Sequence, residues 1–97
     1  MYSIVIPGYN EEESIIKTVR SVYEVMETHQ LTPFEVIVVN DGSQDRTGEL
    51  AAESGAKVIT NPVNTGYGFS LKRGITAAQY NAIIITDADG TYPIDKI

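Results

Sequence analysis

The sequence predicts an α/β protein with a doubly wound, Rossmann-like parallel sheet in the order β-α-β-α-β-α-β. Four short runs rich in Ile and Val alternate with longer amphipathic segments along the 97 residues, which is typical of repeated βαβ units. The runs are almost continuously apolar, so helices must cover both faces of the sheet. Right-handed crossovers then give the doubly wound arrangement.

The predicted strands are these apolar runs, and turn-forming residues bound them. Pro7 and Gly8 end the first run, and Asn-Asp-Gly-Ser at 40–43 follows the second, as expected of residues that favour turns. The predicted strand limits are residues 3–6, 34–39, 57–60 and 82–86.

The predicted helices lie between the strands. Asn10 is a suitable N-cap for the first helix, and the three acids that follow it suit the positive end of a helix. This helix should end near His29. The second helix should begin around Asp45, as its capping residue, and end with Gly55. The third should span about residues 68–79.

The composition excludes several classes of function. Seven basic and 13 acidic side chains give a net charge of −6, which argues against nucleic acid as the main partner. The chain has no Cys and a single histidine, His29, so Cys-based zinc sites and His-rich metal sites are excluded. No apolar run approaches the roughly 20 residues that span a bilayer, and MYSIVIPGYN does not resemble a signal peptide.

The unusual polar residues of the chain directly follow the predicted strands. Segments 7–11, 40–43 and 87–89 come after the first, second and fourth strands. Ligands of doubly wound sheets bind beyond the carboxyl ends of the strands. We therefore expect these three segments to converge on one edge of the sheet.

Asp87 and Asp89 form a D-x-D pair after an apolar strand. Two carboxylates on one turn can face the same cation, and hard oxygen ligands suit Mg²⁺ or Mn²⁺, which in turn bridge a diphosphate. A solvated turn is the structural alternative, because D-G-T is common turn chemistry.

Asp41 and Tyr9 are candidates for binding a nucleobase. The Asp41 carboxylate can accept N–H bonds from a base edge, one from uracil or two from guanine. Its structural alternative is an Asx turn or a cap for the second helix. The Tyr9 ring can stack on a base, or it can be an ordinary half-buried tyrosine. The dipole of the helix that follows is a sufficient structural reason for Glu11.

The segment before the third helix is a candidate phosphate site. Gly66 and Gly68 precede it, and Lys72 and Arg73 lie one turn inside, so backbone amides and a cation can meet there. The alternative is that both cations belong to a solvated helix face. Neither a Walker A loop nor a G-x-G-x-x-G fingerprint is present.

Four segments of the chain resemble motifs of the family 2 glycosyltransferases with the GT-A fold. They are SIVIPGYNEEESI, VIVVNDGSQDRT, NTGYGFSLKRGI and IIITDADGTYP, in the family's order and spacing, and they cover essentially the whole chain. The first and last are most similar to the polyprenyl- and dolichyl-phosphate sugar transferases. In that branch a nucleotide sugar, GDP- or UDP-linked, donates mannose or glucose to a lipid phosphate with inversion.

The resemblance implies a role for each matching position. Asp87 and Asp89 match the metal-holding D-x-D, so the implied cofactor is Mn²⁺ or Mg²⁺. Lys72 falls near the donor diphosphate, and Asp41 falls where the family holds the base. The implied nucleotide-binding residues are Pro7, Tyr9, Glu11, Val39, Asp41, Lys72, Asp87 and Ala88. Three positions depart from the family pattern: Asn40 replaces an acid, Gly8 replaces Thr or a small polar residue, and Thr91 replaces a Gln ligand.

GT-A transferases are considerably longer than 97 residues. The resemblance therefore implies that residues 1–97 are the nucleotide-sugar-binding half of a truncated transferase domain, without its acceptor-binding half and inactive alone. We expect self-association through an uncovered sheet edge. For the intact enzyme we expect a cytoplasmic location, at the cytoplasmic face of a membrane where the acceptor is a lipid phosphate.

Two other classes of protein remain as alternatives. Residues 83–91 also fit the D-x-D-G-T motif of haloacid-dehalogenase-type phosphatases, with Asp87 as the nucleophile and Asp89 as the general acid. That motif normally ends the first strand of its domain, whereas three strand–helix units precede it here. The second alternative is a regulatory doubly wound module that binds no nucleotide.

Overall fold

The computed structural model describes residues 1–88 and has the predicted order of elements. The elements are β1 (Tyr2–Gly8), α1 (Ile15–Thr28), β2 (Phe34–Asp41), α2 (Thr47–Glu53), β3 (Lys57–Asn61), α3 (Tyr67–Ala77) and β4 (Ala82–Ile85). Strands β1 and β2 each extend two residues beyond the predicted apolar runs. Strand pairing therefore still holds the backbone where the polar residues begin.

The four strands form one parallel sheet in the order β3-β2-β1-β4. Tyr2 lies opposite Phe34 on one side and Ala82 on the other, and Asp41 lies opposite Asn61. The chain moves outward from β1 to β3 and then returns to the other side of β1. The strand order thus reverses between β1 and β4, and a crevice opens at the carboxyl end of such a reversal.

Helices cover both faces of the sheet, which confirms the doubly wound prediction. On one face Ile4, Ile6 and Val38 pack with buried residues of α1, such as Val19 and Met26. On the other face Val5, Ile37 and Val39 form a second cluster against Leu71 of α3. Successive residues of β1 therefore point into different layers, as the period of two in a strand requires.

Gly74 allows α3 to approach this second face closely. A Cβ atom at position 74 would meet Val5 Cγ1 and would lie 3.1 Å from Val39 Cγ2. Real side chains almost never make contacts this short, so the absence of a side chain sets the distance between α3 and the sheet.

The first helix begins later than predicted. Its N-cap is Ser14 and its first residue is Ile15, whereas Asn10 has a φ of +53°. Asn10 is fixed by the next connection instead, because its Oδ1 accepts the Gln44 N–H at 2.8 Å and its own N–H donates to Ser43 Oγ at 3.0 Å. These contacts between loops outweighed the local capping preference. The predicted end of the helix near His29 is confirmed.

The second helix agrees better with its predicted ends. The Asp45 carboxylate accepts the N–H of Thr47, the first residue of α2, at 2.9 Å. Gly55 has a φ of +95° directly after the C-cap Ser54, the conformation that favours glycine at this position. The third helix is shorter than predicted and ends at Ala77.

A buried carboxylate joins the strands at the amino end of the sheet. Glu35 accepts hydrogen bonds from Ser3 Oγ at 2.6 Å, Lys57 Nζ at 2.6 Å and the Gln79 N–H at 2.7 Å. Burial raises the pKa of Glu35, but the hydrogen bonds from Lys57 and Ser3 outweigh it and lower the pKa. Three strands and the connection into β4 are thereby held together at the end opposite the polar segments.

We predict that Gly74→Ala destabilises the chain by about 1–3 kcal/mol, because the added methyl group overpacks the interface of α3 with β1 and β2. Gly68→Ala is the matched control on the same helix, since nothing lies within 4 Å of a Cβ atom there. It should change the free energy of unfolding by less than about 1 kcal/mol. Urea unfolding measures the free energy of unfolding of both variants. Equal midpoints for the two would contradict the packing argument.

Candidate functional site

A cleft of about 630 Å³ lies at the carboxyl end of the sheet, next to the reversal between β1 and β4. It brings together segments from all three predicted polar regions and from the β3–α3 loop. Its lining residues are Pro7, Gly8, Tyr9, Glu11, Asp41, Asn64, Gly66, Tyr67, Ser70, Asp87 and Ala88.

Asp41 is the most extensively bonded side chain of the cleft. It is only 5% exposed. Its Oδ1 accepts from Asn61 Nδ2, the Thr65 N–H and Thr65 Oγ1, each at 2.8 Å, and its Oδ2 accepts the Gly66 N–H at 2.9 Å. All these donors belong to the end of β3 and the loop that follows it. The turn that follows is instead bonded to Asn40, whose Oδ1 accepts the Ser43 N–H.

These hydrogen bonds keep Asp41 ionised. Burial raises the pKa of Asp41, but the hydrogen bonds from Asn61, Thr65 and Gly66 outweigh it and lower the pKa to about 2. At neutral pH the group is therefore a carboxylate that only accepts hydrogen bonds.

Asn61 organises the donors around Asp41. It is 1% exposed and its Nδ2 also contacts Thr65 Oγ1 at 3.1 Å and Ser70 Oγ at 3.2 Å. Arg73 Nη1 donates to the Asn61 side-chain oxygen, which fixes the orientation of the amide. A cation of α3 thus reaches the cleft only through an intervening amide.

Gly42 brings the backbones of two loops into contact. It has a φ of +69°, and a Cβ atom there would collide with the backbone of Val63 and Asn64. Asn64 Nδ2 also donates to the Asp41 carbonyl at 3.3 Å. The turn after β2 and the loop after β3 therefore pack backbone against backbone beside the Asp41 carboxylate.

The turn after β4 is fixed from the side of α1. The Ala88 carbonyl accepts hydrogen bonds from Ser14 Oγ at 2.8 Å and Thr18 Oγ1 at 3.1 Å. A Cβ atom on Gly8 would lie 3.0 Å from Ala88 Cβ, so a larger residue at position 8 would press on this turn. These contacts hold Asp87 at the edge of the cleft.

The cleft is acidic. Among residues 1–88 its lining contains three carboxylates, from Glu11, Asp41 and Asp87, and neither Lys nor Arg. A diphosphate entering this space would be repelled unless a cation came with it. The hard carboxylate oxygen of Asp87 suits Mg²⁺ or Mn²⁺. No ready-made group of three or more Asp, Glu, His or Cys side chains occurs within the described span, and Asp89, the predicted second ligand, lies outside it.

Six of the predicted site residues share this cleft: Pro7, Tyr9, Glu11, Asp41, Asp87 and Ala88. Tyr9 is 43% exposed, so its ring is available to a ligand. Val39 is not in the lining, because its side chain is buried in the cluster under α3. Lys72 lines a separate hollow of about 380 Å³ with Phe69 and Arg73.

The sequence predicted a phosphate site in the segment before α3 but not the pairing of this segment with Asp41. Asn64 and Gly66 of the loop and Tyr67 and Ser70 of α3 line the cleft, and Gly66 also donates to Asp41. The run of Asn, Thr and Gly at 64–66 was visible as a loop. Its pairing with a buried carboxylate 24 residues earlier has no local sequence pattern.

Comparison with known proteins identifies the class first. Solved structures with this architecture are GT-A glycosyltransferases. One is glucosyl-3-phosphoglycerate synthase from Mycobacterium tuberculosis, solved in complex with Mn²⁺, uridine diphosphate and glucosyl-3-phosphoglycerate. It superimposes with a TM-score of 0.74 at 30% identity, over 91% of this chain and 33% of that chain.

The sequence then identifies the family. The profile of glycosyl transferase family 2 matches residues 3–97, and the chain belongs to this family. The uncharacterized glycosyltransferase YkcC of Bacillus subtilis is 40% identical over 99% of this chain. The dolichyl-phosphate beta-glucosyltransferase of Homo sapiens is 33% identical over 91% of it. The chain spans 31% of the length of each of these two relatives. Because the chain belongs to this family, the phosphatase and the regulatory module are no longer alternatives.

None of the helices within residues 1–88 is both long enough and apolar enough to cross a bilayer.

We predict that Asp41 makes the stability of the chain depend on acid pH. The folded-state pKa of about 2 lies below the ordinary aspartate pKa of 3.8, so the contribution is fully present above about pH 4 and is lost as the pH falls towards 2. It is on the order of 2 kcal/mol.

Asp41→Asn should therefore be destabilised at pH 7, and its difference from the parent chain should shrink between about pH 4 and pH 2. Glu24→Gln, at an exposed position of α1, is the control. Urea unfolding at a series of pH values measures this. A difference that stays constant over that window would contradict the assignment.

Proposed function

We propose that this chain is the donor-binding part of a glycosyltransferase that holds a nucleoside diphosphate sugar with a divalent cation. The intact enzyme would transfer glucose or mannose, with inversion, to a polyprenyl or dolichyl phosphate. The observation that carries the proposal is the shared cleft, in which an exposed aromatic ring, a buried carboxylate and the acidic turn after β4 face one space. The names of two kinds of relatives support it: the dolichyl-phosphate beta-glucosyltransferases and the synthase solved with Mn²⁺ and uridine diphosphate.

In this proposal the two sides of the cleft have different tasks. Tyr9 and Asp41 hold the base, by stacking and by accepting an N–H bond. Asp87, with Asp89 beyond the described residues, holds Mn²⁺ or Mg²⁺. When bound, the cation neutralises the charge that builds up on the departing diphosphate. The hydroxyls of Ser14 and Thr18 keep the turn in place through the Ala88 carbonyl.

The acceptor oxygen attacks the anomeric carbon from the side opposite the leaving diphosphate, which inverts the configuration of that carbon. This chain contributes binding and orientation of the donor to that step. No residue of the described span is assigned as the catalytic base. Lys72 lies outside the cleft lining, so charge stabilisation there depends on the cation.

The cation requirement is tested by calorimetry with UDP-glucose and GDP-mannose, with and without Mn²⁺. We expect at least one of them to bind, with affinity roughly tenfold or more higher in the presence of Mn²⁺, because the acidic lining repels the free diphosphate. Asp87→Asn should remove most of this enhancement. Glu13→Gln is the matched control, since it makes the same charge change outside the cleft lining. If neither nucleotide sugar binds, or if Mn²⁺ has no effect, the proposal is wrong.

We also propose that the 97-residue chain is inactive by itself, because it spans about a third of its relatives. A radiolabelled sugar donor with dolichyl phosphate should give no labelled lipid above the background of Asp87→Asn. Turnover that depends on Asp87 would show that the acceptor site is already complete in this chain.

A further inference from the structure

The hydrogen-bonding capacity of Asp41 is almost fully used by the protein. A carboxylate oxygen offers about two lone-pair positions. Oδ1 already accepts three hydrogen bonds, one from Asn61 and two from Thr65. Oδ2 accepts one, from the Gly66 N–H. One acceptor position therefore remains for a ligand, and it is on Oδ2.

The donors that occupy Oδ1 are not easily withdrawn. Asn61 is 1% exposed, and the Arg73 guanidinium and Ser70 hydroxyl fix its amide. Thr65 donates through both its backbone N–H and its hydroxyl. Withdrawing Asn61 for a ligand would break a buried hydrogen bond to an ionised carboxylate, and withdrawing Thr65 would break two hydrogen bonds at once.

The common bases differ in what they offer to such a carboxylate. Uracil presents a single N–H at N3. Guanine presents two adjacent N–H groups, at N1 and at its 2-amino group, and satisfying both requires both carboxylate oxygens. Cytosine and adenine present an unprotonated ring nitrogen, whose lone pair faces the ionised carboxylate unfavourably. The low pKa of Asp41 keeps it ionised at neutral pH.

We infer that Asp41, with Oδ1 saturated by the β3–α3 loop, makes this cleft selective for uracil over guanine, so that the donor is a UDP-sugar and not a GDP-sugar. The inference rests on the proposed function, because it assumes that the base lies against Asp41. It adds the identity of the base and the two residues that determine it, Asn61 at the end of β3 and Thr65 of the loop. These two residues donate to Oδ1, so they limit the number of hydrogen bonds that Asp41 can accept from a base.

The test compares matched ligands on the unmodified chain by calorimetry in the presence of Mn²⁺. UDP should bind roughly tenfold or more tightly than GDP, since guanine leaves one buried N–H unpaired. 3-Methyl-UDP lacks the N3–H, so its affinity should be lower than that of UDP by a similar factor. 5-Methyl-UDP carries the same added methyl group, keeps the N3–H and should bind within about threefold of UDP.

The inference and the proposed function fail in different ways. If GDP binds as tightly as UDP, or if 3-methyl-UDP binds as tightly as 5-methyl-UDP, the base assignment is wrong while nucleotide binding stands. If no nucleotide binds, the proposed function is wrong and the inference falls with it. A clear preference for UDP together with loss of 3-methyl-UDP binding supports both.

A variant extends the test to the protein. Asp41→Asn places an amide where the carboxylate stood, so it should weaken UDP binding by roughly tenfold or more. The affinity for CDP should not fall, because cytosine needs no acceptor at this position. An equal loss for both ligands indicates a purely structural role for Asp41 and contradicts the inference. Because the ligand series uses the unmodified chain, it decides the question even where this variant folds poorly.

Discussion

The cleft depends on the hydrogen bonds that the β3–α3 loop gives to the Asp41 carboxylate. This buried anion lies at the end of a central strand. Among residues 1–88, its side chain accepts hydrogen bonds from Asn61 at the end of β3 and from Thr65 and Gly66 of the loop. Asp41 accepts the Thr65 and Gly66 N–H groups and so holds them against the end of β2. Without these donors, a buried carboxylate beside the cleft would lose most of its hydrogen bonds, at a cost on the order of several kcal/mol. Each therefore requires the other.

The sequence was sufficient for the strands and for the location of the site. Continuous apolar runs have few alternatives to buried parallel strands, and the ends of such strands must meet at one edge. That reasoning placed Tyr9, Asp41 and Asp87 together, and they share the cleft. Their roles with a ligand remain predictions.

The errors came from interactions between residues distant in sequence. Asn10 has the composition of a helix cap, but its partners are in the β2–α2 connection 33 and 34 residues later. Lys72 has the charge expected beside a diphosphate and lines a different hollow, so its role near the diphosphate stays a prediction. A local preference, such as that of Asn for a helix N-cap, is weak compared with tertiary hydrogen bonds. A short window of sequence shows neither those hydrogen bonds nor the rotation of a helix against the sheet.

Gly42 shows how the cleft can depend on a residue that does not line it. Two main chains touch at this turn, and only glycine, which has no side chain, leaves enough room between them at a left-handed φ. Any side chain there must lift the neighbouring loop by about the width of a methyl group, which takes the Thr65 and Gly66 amides away from Asp41. The shape of the cleft around Asp41 thus depends partly on the thickness of a bare peptide backbone.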